Sequence, residues 1–253
     1  HQMKDILIDM YKIKNLHAGL GQYSLNFAKE VIAQQPKDLH IDFLAEEKSF
    51  QKNFSAATQN FSCVNANFLR RYFSSTNGKY EVWHSLHQFP SFPPDKKSKK
   101  ILTVHDLNFL QEKNNLKAKK YLSRLKKNIE RADVVTAISN FTRKEIENNI
   151  ELKGKTVRVI YNGIAEHEKH RAVKPRMDIK NKFLFSLGIF SAKKNFHVLL
   201  PMMKHIEDFQ LVIAGNKNTP YGNEMEKKIV EMNLQDKILL TGEVSEEEKI
   251  WRY

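Results

Sequence analysis

A chain of 253 residues with 41% hydrophobic content, nine glycines and seven prolines has room for one large domain or two ordinary ones, and is too apolar to stay disordered. Its net charge of +13 calls for an anionic partner, whether nucleotide, nucleic acid or membrane surface. The single cysteine, Cys63, excludes an internal disulfide, and no apolar run reaches the ~20 residues of a membrane span. With no signal-peptide pattern at the start, the expected location is cytoplasmic, extended by peripheral contact with the inner face of a membrane.

Residues 5–10 (DILIDM) predict a first strand. A loop over 11–18 leads to Gly19-Leu20-Gly21, then to a helix carrying Leu25, Ala28, Val31 and Ile32 at helical spacing. A second strand follows at 39–44. Residues 46–78 are hard to read; Phe50, Phe54, Phe61, Phe68 and Tyr72 predict core-seeking helical pieces. Strands are expected at 80–86 and 101–105, separated by a proline-punctuated loop (89–94) and a basic run (96–100). The stretch 115–131 predicts a helix with Ala118, Leu122, Leu125 and Ile129 on one face and lysines or arginines elsewhere. Then come a strand at 133–139, a helix at 140–149 capped by Ser139 or Asn140, and a strand at 157–161.

Composition shifts over 166–182, a polar and charged stretch with Pro175 that predicts a domain linker. Beyond it the pattern predicts a strand at 183–187, a helix at 194–206, a strand at 210–214, a helix at 221–232, a strand at 237–241 and a helix starting near Ser245. Strands alternating with helices predict α/β layers around parallel sheets in both halves, 1–165 and 183–253. Three strands make a small second sheet, so the expectation is a fragment of a longer chain.

Several positions carry candidate chemistry. Phe183, Leu184, Phe185 and Leu187 end at Gly188; Ser191 is placed to cap a helix start, and Lys193 and Lys194 stand at the entrance to a pattern with Phe196, Leu199 and Leu200. That arrangement suits a diphosphate, though on this stretch alone a solvated lysine pair on an ordinary turn is the commoner outcome. Gly19-Leu20-Gly21-Gln22-Tyr23-Ser24 is like a dinucleotide fingerprint with its third glycine replaced, with Glu46 or Glu47 as the ribose acid. Against this, the fingerprint turns directly off its strand, and here a loop intervenes, so a ligand-facing loop and a plain turn both stay open. His105-Asp106 ends a predicted parallel strand, where it can donate to a sugar hydroxyl or phosphate, or simply cap the strand. Asn162-Gly163 reads as an interdomain hinge or a turn leaving the sheet. His84 with His87, and His167 with His170, have separations seen among metal ligands but no supporting cluster. The chain holds no Asp-x-Asp and no P-loop.

In order, GLGQY (19–23), LTVHDL (102–107), ADVVTAISNFTRKEI (132–146), VRVIYNGI (157–164), LGIFSAKKN (187–195), LVIAG (211–215) and ILLTGEVSEEE (238–248) resemble the retaining nucleotide-sugar glycosyltransferases of family 4. The resemblance implies a GT-B fold, with an N-terminal Rossmann-like domain and the first half of a second. It implies that Lys193 and Lys194 grip the donor diphosphate, that His105 stands near the transferred sugar, and that Gly19 and Gly21 border the diphosphate and acceptor. It also places Gly242, Glu243 and Val244 beside the nucleobase. The implied reaction is metal-independent and needs no cofactor. It moves a sugar to a saccharide or lipid-linked acceptor with retention, and no nucleic-acid partner is implied. The family's Glu-x7-Glu segment would come after Tyr253, so the expectation is a truncated, inactive chain whose C-terminal half self-associates. Two rival readings remain: a two-domain NAD-type oxidoreductase, and a non-enzymatic binder of nucleic acid or lipid through the basic helix.

Overall fold

Strands β1 (Lys4–Asp9), β2 (Leu39–Ala45), β3 (Phe61–Asn65), β4 (Val82–Ser85), β5 (Lys99–Val104), β6 (Val134–Ala137) and β7 (Val157–Val159) pair in parallel in the order β3-β2-β1-β4-β5-β6-β7. This computed structural model describes residues 3–54, 60–67, 78–164, 172–174, 179 and 182–252. The chain divides into two compact units, His1–Ala165 and Glu166–Tyr253, and the seven-stranded sheet belongs to the first.

Both faces of that sheet are covered, which is why its central strands read as near-continuous apolar runs. Alternation along β1 sends Leu7 to a cluster with Leu44, Tyr80, Trp83 and Phe92. The next residue, Ile8, faces Leu25 and Ala28 of helix α1 (Gly19–Ala33), together with Phe43, Phe50 and Phe61. The predicted helical pieces in 46–78 are half right. Helix α2 (Glu47–Asn53) supplies Phe50, but Phe61 belongs to edge strand β3 and stacks 6.2 Å from Phe43. Phe68 and Tyr72 lie outside the described residues.

On the far side of β1, helix α3 (Phe109–Glu112) precedes α4 (Asn115–Arg131). Ala118, Leu125 and Ile129 bury as the spacing requires, and the Asn114 side chain accepts the Lys117 N–H at the helix start. Helix α5 (Asn140–Asn149) is capped by Ser139, whose Oγ accepts the Thr142 N–H at 3.0 Å. Among the described residues no helix is long and apolar enough to cross a membrane.

The second unit holds β8 (Phe183–Leu187), β9 (Gln210–Ala214) and β10 (Ile238–Gly242), parallel, in the order β10-β9-β8. Central β9 is buried throughout. Helix α6 (Leu199–Met203) and helix α7 (Pro220–Glu231) pack Leu200, Met203, Met225 and Ile229 against it. Thr219 caps α7 and Pro220 opens it, the favoured pairing at a helix start. Helix α8 (Glu246–Arg252) stacks Trp251 on Phe183 at 5.8 Å. Most of the expected linker 166–182 lies outside the described residues; within it the Val173 N–H bonds the Glu247 carbonyl and Ile179 is buried. His167 and His170 also lie outside.

The predicted helix 194–206 is not one helix. A 3-10 turn spans Ala192–Lys194, Asn195 takes the left-handed conformation (φ 56°), a second 3-10 turn spans Phe196–Val198, and only Leu199–Met203 is α-helical. Left-handed backbone ends a helical run, and Pro201 has no N–H to extend one backwards. Ser191 makes no capping bond, and its Oγ is buried without a partner among the described residues.

Candidate functional site

Each sheet presents one carboxyl edge, where parallel α/β folds collect their ligands. In the first unit, β1, β4 and β5 lie side by side and end at Asp9, Ser85 and Val104. From β1 the chain moves outward to β2 and β3, then returns on the opposite flank as β4. The β1/β4 gap is therefore the topological switch point.

His105 comes directly after β5 at this edge and is held from several directions. Its N–H donates to Gln88 Oε1 (3.1 Å), and its carbonyl accepts the Thr142 hydroxyl (2.8 Å). Gln88 in turn donates to the Asp106 carbonyl, and the Asn128 amide donates to the Gln88 carbonyl. The Tyr23 ring meets the imidazole edge-on at 4.7 Å, so α1 leans its first turns over the strand end. His105 Nε2 lies 2.8 Å from the Leu86 carbonyl. A carbonyl only accepts, so Nε2 carries the ring proton, and Nδ1 of the neutral ring presents a lone pair. Burial keeps the ring below its ordinary pKa, against the opposing pull of that hydrogen bond and of Asp106. The expected donor is thus an acceptor: its one proton is committed to backbone.

Gly19 and Gly21 occupy the first turn of α1 and do not form a loop ahead of it. A Cβ on Gly21 would stand 1.9 Å from the Asn15 carbonyl oxygen, so only glycine lets the helix start fold back on the preceding turn. The N-cap, Ala18, offers no side-chain oxygen to the first-turn N–H groups.

His84 and His87 do not act as a pair. His84 Nε2 bonds Thr103 Oγ1 (2.9 Å) and its ring packs on Phe27, with burial pushing its pKa down to about 4. Among the described residues no group of His, Cys, Asp or Glu is arranged to hold a metal. Asp9 was not singled out in the sequence. It is 7% exposed at the end of β1, accepts the Tyr11 N–H (3.1 Å), and burial raises its carboxyl to about 6. The available signal was an acid closing an apolar strand.

In the second unit, Lys193 and Lys194 are exposed on the 3-10 turn after β8. Because that turn is only three residues long, the positive end of a regular helix does not reinforce them, contrary to expectation. The Lys194 stem instead lies over Gly188, with Cε 3.1 Å from where a Cβ would stand. Gly215, after β9, has φ +135°, and a Cβ there would meet the Gly188 carbonyl oxygen at 1.9 Å. Its N–H donates to the Gly242 carbonyl at 2.7 Å. Gly188, Gly215 and Gly242 thus bring three strand ends together backbone to backbone. Gly242 (φ +77°), exposed Glu243 and half-buried Val244 continue this edge to Ser245, which exchanges capping bonds with Glu248. The turns after β8 and β10, which carry Lys194 and residues 242–244, leave the same sheet edge with β9 between their strands. Asn162 and Gly163 are exposed in the coil before the unit boundary.

Known proteins fit this architecture. The chain superposes on S. aureus TarM (TM-score 0.69, 12% identity, 98% of this chain and 78% of that one). It also superposes on sucrose-phosphate synthase from Thermosynechococcus elongatus (0.66, 15%, 98% and 72%) and on Anabaena HepE in complex with UDP-glucose (0.65, 14%, 95% and 69%). These establish the GT-B fold. A curated relative from Campylobacter jejuni, N-acetylgalactosamine-N,N'-diacetylbacillosaminyl-diphospho-undecaprenol 4-alpha-N-acetylgalactosaminyltransferase, is 26% identical over 113 residues. The match spans 44% of this chain and 30% of that protein. Residues 166–253 match the family described as Glycosyl transferases group 1. Residues 26–168, more than half of the sequence, match Glycosyltransferase Family 4, and the chain belongs to that family.

Proposed function

We propose that the protein transfers a sugar from a nucleoside-diphosphate donor to an acceptor hydroxyl, with retention of configuration. The observation that carries this reading is the Lys194 ammonium, its stem laid over Gly188 at the carboxyl edge of a parallel strand. It has no hydrogen bond or ion pair among the described residues. Lys193 adds a second charge beside it. As the bond to the nucleoside diphosphate breaks, negative charge grows on the leaving oxygen, and these cations stabilise it in place of an Asp-x-Asp-held metal. The backbone of Gly242–Val244 borders the nucleobase, Gly19 and Gly21 the diphosphate and acceptor, and Asn162-Gly163 acts as the hinge. His105, neutral and proton-accepting at Nδ1, orients a hydroxyl of the transferred sugar; it is not the acid that protonates the leaving group. HepE, solved with UDP and with UDP-glucose, supports a uridine donor.

Donor binding is the direct test. Calorimetric titration should show UDP bound and NAD ignored, and Lys194→Ala should weaken UDP roughly 10- to 150-fold, the span of one charge-assisted hydrogen bond. Equal UDP affinity in the variant, or selective binding of NAD, would remove the reading. The exposed Lys117, Lys119, Lys120, Lys126 and Lys127 of α4 extend the proposal to a lipid-linked acceptor reached at an anionic membrane surface.

A further inference from the structure

The switch point between β1 and β4 carries positive charge that the chemistry assigned to His105 leaves unused. After β1 the chain makes a 3-10 turn, Tyr11–Lys14, and after β4 it makes a loop over 86–92. These two segments are clamped together. Tyr11 meets Phe92 edge-on at 5.1 Å, while Arg124 of α4 donates to the Pro90 carbonyl (3.3 Å) and lies over the Phe89 ring. Phe89 also packs on Tyr121, and Asn128 holds the Gln88 carbonyl, so α4 fixes the loop from its far side.

Lys12 sits inside this clamp half-buried. Among the described residues its ammonium has no hydrogen bond and no ion pair, although Asp9 is near enough for its charge to be felt. Burial lowers its pKa, and the fields of Lys14 and Arg124 add to that effect. A half-buried lysine is usually paired; this one keeps its donors unspent. His87 stands within the same fields, 6.1 Å from the His105 ring. Its Nδ1 lies 3.1 Å from the Phe89 N–H and 3.3 Å from the Phe89 carbonyl. The N–H is closer and can only donate, so Nδ1 accepts and Nε2 carries the proton. Burial first, then Lys12, holds the ring neutral, down to about 4. Lys12, Arg124 and His87 lie close enough for their charges to act on one another, and among the described residues Asp9, already accepting the Tyr11 N–H, is the carboxylate whose charge reaches Lys12.

We propose that the loops after β1 and β4 form an anion subsite, built from Lys12, His87 and Arg124, that holds a phosphate or diphosphate group on the acceptor. The anion site stands on the first unit alone; its assignment to an acceptor rests on the transferase reading above. A dianion fits two neighbouring cations better than a single carboxylate does, and arginine matches phosphate oxygens two at a time. Held there, the acceptor would lie beside His105.

The test is calorimetric titration of inorganic pyrophosphate into the full chain carrying Lys193→Gln and Lys194→Gln, which removes the donor-side cations. Saturable one-to-one binding is expected. Adding Lys12→Gln should weaken it at least about tenfold, with the melting temperature unchanged. Arg124→Gln should act in the same direction, and because it also removes the bond to the Pro90 carbonyl, its melting temperature is read beside its affinity. No saturable binding in the double variant, or an affinity indifferent to both further substitutions, would overturn the subsite. Tighter binding of glucuronate than of pyrophosphate would overturn the phosphate class. A failure of UDP to bind the unaltered protein would overturn the acceptor assignment and the transferase reading together.

Discussion

Asp42 and Asp9 are buried carboxylates on neighbouring strands of one sheet, and their surroundings push them opposite ways. Asp42, within β2, is 1% exposed and accepts from Lys79 Nζ (2.7 Å), the Tyr80 hydroxyl (2.6 Å) and the Ser62 hydroxyl. Burial alone would raise it, but those three donors outweigh burial and hold it below the usual range. Asp9, at the carboxyl edge, receives only the Tyr11 N–H and the field of Lys12, and burial wins, raising it to about 6. The flank that only has to be stable satisfies its charge completely. The edge proposed to receive a ligand leaves charges of both signs short of partners, and that shortage supports the proposal more than any one residue type does.

The largest break in this contrast should come from Asp42→Asn. It removes the negative charge facing Lys79 and turns an amide donor toward groups that also donate, for an expected loss of about 2–3 kcal/mol at pH 7 in urea unfolding. Lys79 is half exposed, so most of the loss should come from Tyr80 and Ser62. Because the folded carboxyl titrates below its unfolded value, the wild-type advantage should be full above about pH 5 and fade as acid protonates the native group. An advantage that persists undiminished at pH 2 would show that charge is not its source.

Asp9→Asn should do the reverse. A carboxyl raised to about 6 contributes stability below its ordinary value of 3.8, and that contribution disappears as pH rises through 6. The variant should therefore match wild type near pH 4 and exceed it at pH 8 by about 1–2 kcal/mol, reduced because Lys12 loses its nearest anion. It should also bind pyrophosphate more tightly. A variant that is less stable at pH 8 would mean that Asp9 is satisfied after all.

The parallel α/β plan and the split into a larger and a smaller sheet were legible because buried parallel strands are short apolar runs between turn signals. Strand β3 was not, since FSCVN is a brief edge strand whose pattern cannot be told from the aromatic pieces around it. The break after Lys194 leaves no mark on the sequence pattern, because Phe196, Leu199 and Leu200 bury equally well from 3-10 turns and from an α-helix. The strand-end position of His105 was legible from the ILTV before it. Its tautomer was not, because the deciding partner is a backbone carbonyl on the next strand's loop. Lys12 and Arg124 are far apart in sequence, and only strand order brings their charges to one edge.

The smallest expected stability effect separates the two units. Lys194 is exposed, and its stem covers a glycine, so Lys194→Ala should change unfolding free energy by no more than about 0.5 kcal/mol. The same substitution is expected to cost UDP binding far more, and where turnover is measurable to lower it about 10²–10³-fold. That combination is the mark of a group placed for a ligand and not for the fold. On the proposed assignments, function and stability are entangled at the first unit's edge, because buried donors would serve both. At the second, backbone glycines set the geometry and a flexible cation would supply the charge, so the two would separate. Equal losses of stability and of UDP binding in Lys194→Ala would mean that the lysine holds the β8 turn in place and that nucleotide affinity falls only as a consequence.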